Sequence, residues 1–310
     1  MAMTPRNFGK FAAAVLLSAV VFSSAVLAKD TPKERTQPRS AAAMPFAPSE
    51  QLVYEGEFSK LLLRGINVAE LRFKASRPAP AAATAPPGEG DAQTTPAADA
   101  QPLLLSTEVI SKGFFSKLFG VTFHFRAETQ VEPNAFYALR STKIDEQGKR
   151  LRTSETVFDA QAKTVEYTER DPNNAGQPAR VITAALEGPT QDIVSAIYFL
   201  RTLDLTPGRS FVIPISDSGR VYQVPASVVA EKKKMKSIVG KVAVVRIDVE
   251  LFGPGRPVEE GKGKMSIWVT DDERRIPIKA RLSHDIGQLD ITLKSMQRDV
   301  PQVASTQAGQ

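Results

Sequence analysis

His124 and His284, with a scatter of carboxylates, are the side chains that acid–base or metal chemistry in this sequence would need. The two histidines fall on different expected strands, and neither has further ligands at a spacing that names a metal. His124 can share a sheet face with Glu108 or Glu128, and we read it as a surface imidazole. The acid pairs Glu259-Glu260 and Asp271-Asp272 stand beside turn residues. Neighbouring residues of a strand point to opposite faces, so neither pair aims two carboxylates into one cleft. No Gly-x-Ser-x-Gly elbow, His-Glu-x-x-His helix or phosphate loop is present, and Gly253-Pro254-Gly255 reads as a hairpin loop. The absence of cysteine removes thiolate chemistry, disulfides and lipidation at an N-terminal Cys. The expectation is a protein that is not an enzyme and uses no metal or cofactor.

Two clusters could act by binding instead. In Gly113-Phe114-Phe115-Ser116-Lys117-Leu118-Phe119-Gly120, four large apolar residues gather where two strands should turn. They either cap the core, the reading favoured, or meet a lipid or membrane. With Phe123 and Phe125 on the strand that follows, Phe114, Phe115 and Phe119 are the residues expected to line or gate an apolar cleft. Lys232, Lys233, Lys234 and Lys236 sit at another expected turn. There they either keep a sheet edge soluble, the reading favoured, or attract an anionic surface.

The elements that must position these clusters follow from a side-chain period of two. Strands are expected at 51–58, 64–75, 103–111, 119–131, 135–145, 150–159, 163–169, 209–216, 220–231, 237–252, 263–270, 276–284 and 287–296. In 119–131, Phe119, Val121, Phe123, Phe125 and Ala127 share one face, with Thr122, His124, Arg126 and Glu128 on the other. Turn signals lie at Glu146-Gln147-Gly148, Asp217-Ser218-Gly219 and His284-Asp285-Ile286-Gly287. One segment, 190–203, carries Ile193, Ala196, Ile197, Leu200 and Leu203 at helical spacing behind a Thr190 or Asp192 cap. The fold expected is mainly β: a large curved antiparallel sheet, or half-open barrel, packed on one central helix.

Residues 1–28 have the three parts of an export signal: Arg6 and Lys10, an apolar run from Phe11 to Leu27, and Val26-Leu27-Ala28 before a cut after Ala28. An uncleaved anchor is the competing reading, disfavoured by Ser18, Ser23 and Ser24. Export to the periplasm or beyond is the location expected. Cleavage removes two of the charges behind the formal +6, leaving about +4 spread among acids, as in Asp271-Asp272-Glu273-Arg274-Arg275. That pattern excludes nucleic acid as a partner. Residues 29–49 read as a flexible leader, 50–298 as one β-rich domain, 77–102 as a disordered Pro/Ala insertion within it, and 299–310 as a tail. No later stretch is long and apolar enough to cross a bilayer as a helix, so a soluble exported form is expected.

At this point a resemblance becomes legible. Asp192-Ile193-Val194-Ser195-Ala196-Ile197-Tyr198-Phe199-Leu200-Arg201 resembles the signature helix of the bacterial domain-of-unknown-function 3108 family. Leu205 to Phe211 resembles that family's entry to the next strand. Trp268-Val269-Thr270-Asp271 with Arg274-Arg275-Ile276-Pro277-Ile278 resembles its penultimate hairpin, and Ile286-Gly287-Gln288-Leu289 its closing turn. Tyr54 and Gly65 also fit, so the likeness runs over residues 50–298, with the insertion at 77–102 as a departure. The resemblance implies a secreted or periplasmic β-rich protein and no particular chemistry. It also implies that Arg201 reaches a buried carboxylate and locks helix to sheet. Two functions from different classes follow. The first is an envelope protein holding a lipid or other apolar ligand on the concave face of its sheet. The second is a scaffold for an envelope protein partner, with the core fully packed.

Overall fold

The computed structural model describes residues 44–47, 49–77, 101–120, 122–259 and 261–298. The expected export signal, most of the flexible leader, residues 78–100 of the insertion and the tail lie outside the described residues.

Alternation of apolar and polar residues builds the strands as expected. In β1 (Gln51–Lys60), Leu52, Tyr54 and Phe58 are buried, and their neighbours are half-buried. The order continues through β2 (Leu63–Ser76), β3 (Leu103–Ser111), a short helix α1 (Gly113–Phe119), β4 (Phe123–Val131), β5 (Ala138–Gln147), β6 (Arg150–Asp159), β7 (Thr164–Arg170) and β8 (Arg180–Ala185). After helix α2 (Ile193–Thr202) come β9 (Ser210–Asp217), β10 (Arg220–Ser237), β11 (Gly240–Val249), β12 (Gly263–Thr270), β13 (Pro277–His284) and β14 (Gly287–Gln297). All fourteen strands join one antiparallel sheet in the order β8-β7-β6-β5-β4-β3-β2-β1-β14-β13-β12-β11-β10-β9. It is a meander whose first and last strands pair in the middle, Gln51 opposite Gln297 and Ser59 opposite Gln288.

The sheet curls until its edges approach, yet no ladder joins β8 to β9 among the described residues. The lead-in to α2 is wedged between β5 and β9 instead. Ala138 N–H donates to the Thr190 carbonyl (3.0 Å), Gln191 N–H to Pro214 (2.9 Å), and Ser216 N–H to Gln191 (2.7 Å). Further along the seam, the β9–β10 turn presses on β8. A Cβ on Gly219, which has φ +80°, would lie 2.6 Å from the Ile182 Cβ. Val221 packs with Ala138, Phe158, Val165 and Leu186 in a small apolar cluster there.

Ladder register assigns the connections to two rims. The β1–β2, β3–β4, β5–β6, β9–β10 and β13–β14 connections lie at one rim. Helix α2 closes the other, with its first residues against β4 and β5 and its last beside Glu50 at the start of β1. The expected central helix is therefore present, and its apolar side is sunk in the core with Val194, Tyr198, Phe199 and Leu200 buried.

Three expectations are corrected. Residues 113–120 do not form a bare turn entering a strand at 119. β3 and β4 stop pairing at Ile110 opposite His124, so the unpaired backbone satisfies itself as α1, ended by Gly120 at φ +68° donating to Ser116. The lysine run does not form a turn either. β10 continues through it to Ser237, with a register shift between Val229 and Lys233, because Met235 pairs with half-buried Val242 and carries the period past the lysines. The turn comes later, at Ile238-Val239, and Gly240 (φ +97°) opens β11 behind it. Strand β8 was not expected at all: Val181 is exposed and Ile182 and Ala184 are only half-buried, so this edge strand carries little alternation.

Candidate functional site

Between α2 and the concave face lies a cavity of about 250 Å³, an order of magnitude more than the roughly 10–15 Å³ that houses one water. Its floor is one stripe of α2, Ile193, Ala196, Ile197 and Leu200, whose spacing sets them on a single helix face. Tyr54, Leu71, Phe73, Val109 and Phe125 wall one side; Ile213, Val224, Ile267, Leu282 and Ile291 wall the other. Pro257 and Val258, from the β11–β12 connection, close over part of the far end.

The concave face turns polar across β5, β6 and β7. Lys143, Asp145, Arg152, Ser154, Tyr167 and Glu169 reach the same cavity, joined by Asp217 and Ser218 from the β9–β10 turn. Lys143 Nζ donates to Asp217 Oδ1 at 3.2 Å, and both are buried or nearly so. Burial pulls the Lys143 ammonium down, but Asp217 and Asp192 outweigh it and hold the group above the ordinary lysine range. Tyr167 OH donates to Glu169 at 2.8 Å, and its burial pushes the phenol up. Arg152 pairs with Asp171 at 2.5 Å, and Arg150 with Asp145. The result is an apolar chamber with one polar end, where acids outnumber bases. No group of side chains suited to a metal occurs among the described residues.

Two buried networks fix the floor. Asp192 caps α2 by accepting from Ser195 N–H at 2.8 Å, while Ser195 Oγ accepts from Asp192 N–H at 2.9 Å. The other Asp192 oxygen accepts from Thr129 Oγ1 (2.6 Å) and Ser141 Oγ (2.7 Å), tying the helix start to β4 and β5. At the far end, fully buried Arg201 meets fully buried Glu50 at 2.5 Å and donates to the Arg274 carbonyl at 2.9 Å. Its guanidinium lies 5.0 Å from the centre of the Phe46 ring. Arg298 reaches the same carboxylate at 2.9 Å. The carboxylate that the family resemblance implied for Arg201 is thus Glu50.

Of the five aromatic residues expected to line the cleft, Phe125 does so, while Phe123 is buried in the core. Phe114 is 50% exposed on α1, away from the cavity; the side chains of Phe115 and Phe119 lie outside the described residues. The aromatics that join Phe125 are Tyr54, Phe73 and Tyr167, on three other strands. Lys233, Lys234 and Lys236 are exposed on the β10–β11 ribbon at the rim opposite the polar end, and the Lys232 side chain lies outside the described residues. His124 Nε2 and Glu108 Oε1 are 2.8 Å apart on the outer face, beside the Arg72–Glu108 pair. His284 stacks near Phe252, with ring centres 5.6 Å apart. Asp272 organises its turn by accepting from Thr270 Oγ1 (2.7 Å) and the Arg274 guanidinium, and Glu259 pairs with Arg220 at 3.4 Å; Glu260 lies outside the described residues. The polar end of the cavity was missed. Its signal was available: β5 is polar on both faces, so one polar face had to point inward.

A family model described as a protein of unknown function (DUF3108) matches residues 84–294. The chain belongs to this family. The DUF3108 match takes in α2, the Trp268 hairpin and the closing turn, whereas Tyr54 and Gly65 fall outside it. No curated protein matches. Among solved structures, the crystal structure of a β-barrel-like protein of domain of unknown function DUF1849 from Brucella abortus superposes with a TM-score of 0.51 at 7% identity. That superposition covers 82% of this chain and 99% of the other. The likeness is one of fold, and it agrees with the curled sheet described above.

Proposed function

We propose that this DUF3108 protein is a non-enzymatic carrier, exported to the periplasm, that holds one amphiphilic molecule in the chamber above α2. Its apolar tail lies along Ile193, Ala196, Ile197 and Leu200. Its polar end sits among Lys143, Arg152, Tyr167 and Glu169. The observation that carries this is the cavity itself: about 250 Å³, apolar over most of its surface, with hydrogen-bonding groups converging at one end. A packed scaffold would have filled that space with its own side chains. Export rests on the composition of residues 1–28.

Native mass spectrometry of protein taken from its own periplasm is expected to show a copurified amphiphile, and the emptied protein is expected to take up a fluorescent fatty acid. Ala196→Phe projects a ring into the chamber from its floor. It should cut uptake by roughly tenfold or more without lowering Tm by more than a few degrees. An empty native protein whose emptied form also refuses fatty acids, or an Ala196→Phe variant that binds as the parent does, would overturn the proposal.

A further inference from the structure

The β1–β2 loop does something that folding alone does not reward. Lys60 pairs with Leu63, which leaves Leu61-Leu62 as a two-residue loop, a place where Asn-Gly is the usual choice. Leu61 adopts φ +49°, a region that disfavours a leucine. Leu61 is 86% exposed, Leu62 98% and Leu63 43%, so none gains the burial that would offset the conformation.

The loop also projects. On one side, the β1–β14 ladder ends at Ser59 opposite Gln288; on the other, β3 joins β2 only from Ala69 onward. Six residues of β2, roughly 20 Å of strand, thus extend past β3, paired with β1 on one side and with α1 packed on the side that β3 has left. Helix α1 is held there by the Lys112 N–H donating to the Val68 carbonyl at 2.9 Å and by Lys112 Nζ on Glu70 at 2.5 Å. It adds the half-exposed Phe114 and the exposed Lys117 to the same rim. Lys60 and Arg64 flank the leucines and are exposed. The nearby acids Glu55 and Glu57 are both engaged by Lys294, at 2.8 and 3.8 Å. An apolar point collared by cations matches a bilayer with anionic headgroups: leucines for the acyl region, ammonium and guanidinium for the phosphates.

We infer that Leu61, Leu62 and Leu63, with Lys60, Arg64 and Phe114, form a membrane-inserting tip that seats this rim of the barrel on an anionic lipid surface. The inference goes beyond the carrier proposal, because none of these residues lines the cavity.

Flotation of the purified exported protein with phosphatidylglycerol-containing vesicles tests it. Binding is expected to anionic vesicles, to weaken with added salt, and to fall at least about tenfold in Leu61→Ser/Leu62→Ser/Leu63→Ser. Because these positions are exposed, the variant should keep its Tm. Lys60→Glu/Arg64→Glu should lose binding chiefly at low salt. The only tryptophan of the chain, Trp268, is buried, so Leu62→Trp supplies a probe at the tip whose emission should shift to the blue on anionic vesicles. No flotation of the parent protein, a triple-serine variant that floats as well as the parent, a Leu62→Trp emission that does not move, or self-association through the tip in place of vesicle binding would each overturn the inference.

Discussion

Arg201 carries the largest single-residue consequence. Its guanidinium and the Glu50 carboxylate have left water entirely, and they are compensated by each other, by Arg298 and by the Arg274 carbonyl. Truncation of Arg201 leaves the buried Glu50 carboxylate with Arg298 as its remaining cation and takes away the bidentate partner. Arg201→Ala is therefore expected to cost about 3–5 kcal/mol in urea unfolding, and a loss below about 1 kcal/mol would mean that Glu50 gains solvent when Arg201 is gone. Asp192 works differently. It gives one oxygen to the helix and the other to two strand hydroxyls, so a single carboxylate fixes both the start of α2 and its height above the sheet.

At the scale of elements, the seam is where the fold is most sensitive. Gly219 meets two demands at once: a left-handed turn residue, and a hydrogen where any side chain would strike Ile182. Gly219→Ala should destabilise the protein by about 1–3 kcal/mol, read as a lower midpoint in a thermal melt, with Ile182→Gly, which removes the Cβ it would strike, relieving the clash part of that loss; an unchanged melt would show that β8 yields freely. How far such elements could be read from the sequence depended on where their reward lies. Leu52-Tyr54-Phe58 and Phe123-Phe125-Ala127 announced their strands because one face is buried and the other wet. The α2 stripe was equally plain, and of the two caps its sequence offers, Thr190 and Asp192, the helix uses Asp192. Helix α1 was hidden, since what decides it is the end of a ladder between β3 and β4, a tertiary fact. β8 was hidden because an edge strand with exposed Val181 has no face to bury. At the site, Phe125 was found by its periodicity, whereas Tyr54, Phe73 and Tyr167 were not grouped with it: residues far apart in sequence come together only when the sheet curls.

The whole molecule places most of its phenols out of water. Tyr54, Tyr167, Tyr198 and Tyr222 are four of the five tyrosines, and burial pushes each above the ordinary phenol value of 10.0. A phenol with a folded value above its unfolded one contributes stability that is whole below about pH 10 and is lost as pH rises further. Alkaline titration is therefore expected to show tyrosinate absorbance and loss of far-ultraviolet circular dichroism rising together in one cooperative step. Early ionisation of more than one of the five tyrosines with the β signal intact would contradict the burial described.

The pairing of β1 with β14 at the centre of the sheet bears on how the chain is made. Every other neighbour in the meander is adjacent in sequence, but this one joins the first of the described strands to the last. Until β14 arrives, β1 and β13 present raw hydrogen-bonding edges where the finished protein has its middle, and the curl that creates the chamber cannot be set. A nascent chain therefore keeps those edges open until β14 has been delivered, and the β1–β14 ladder is the step that closes the middle of the sheet.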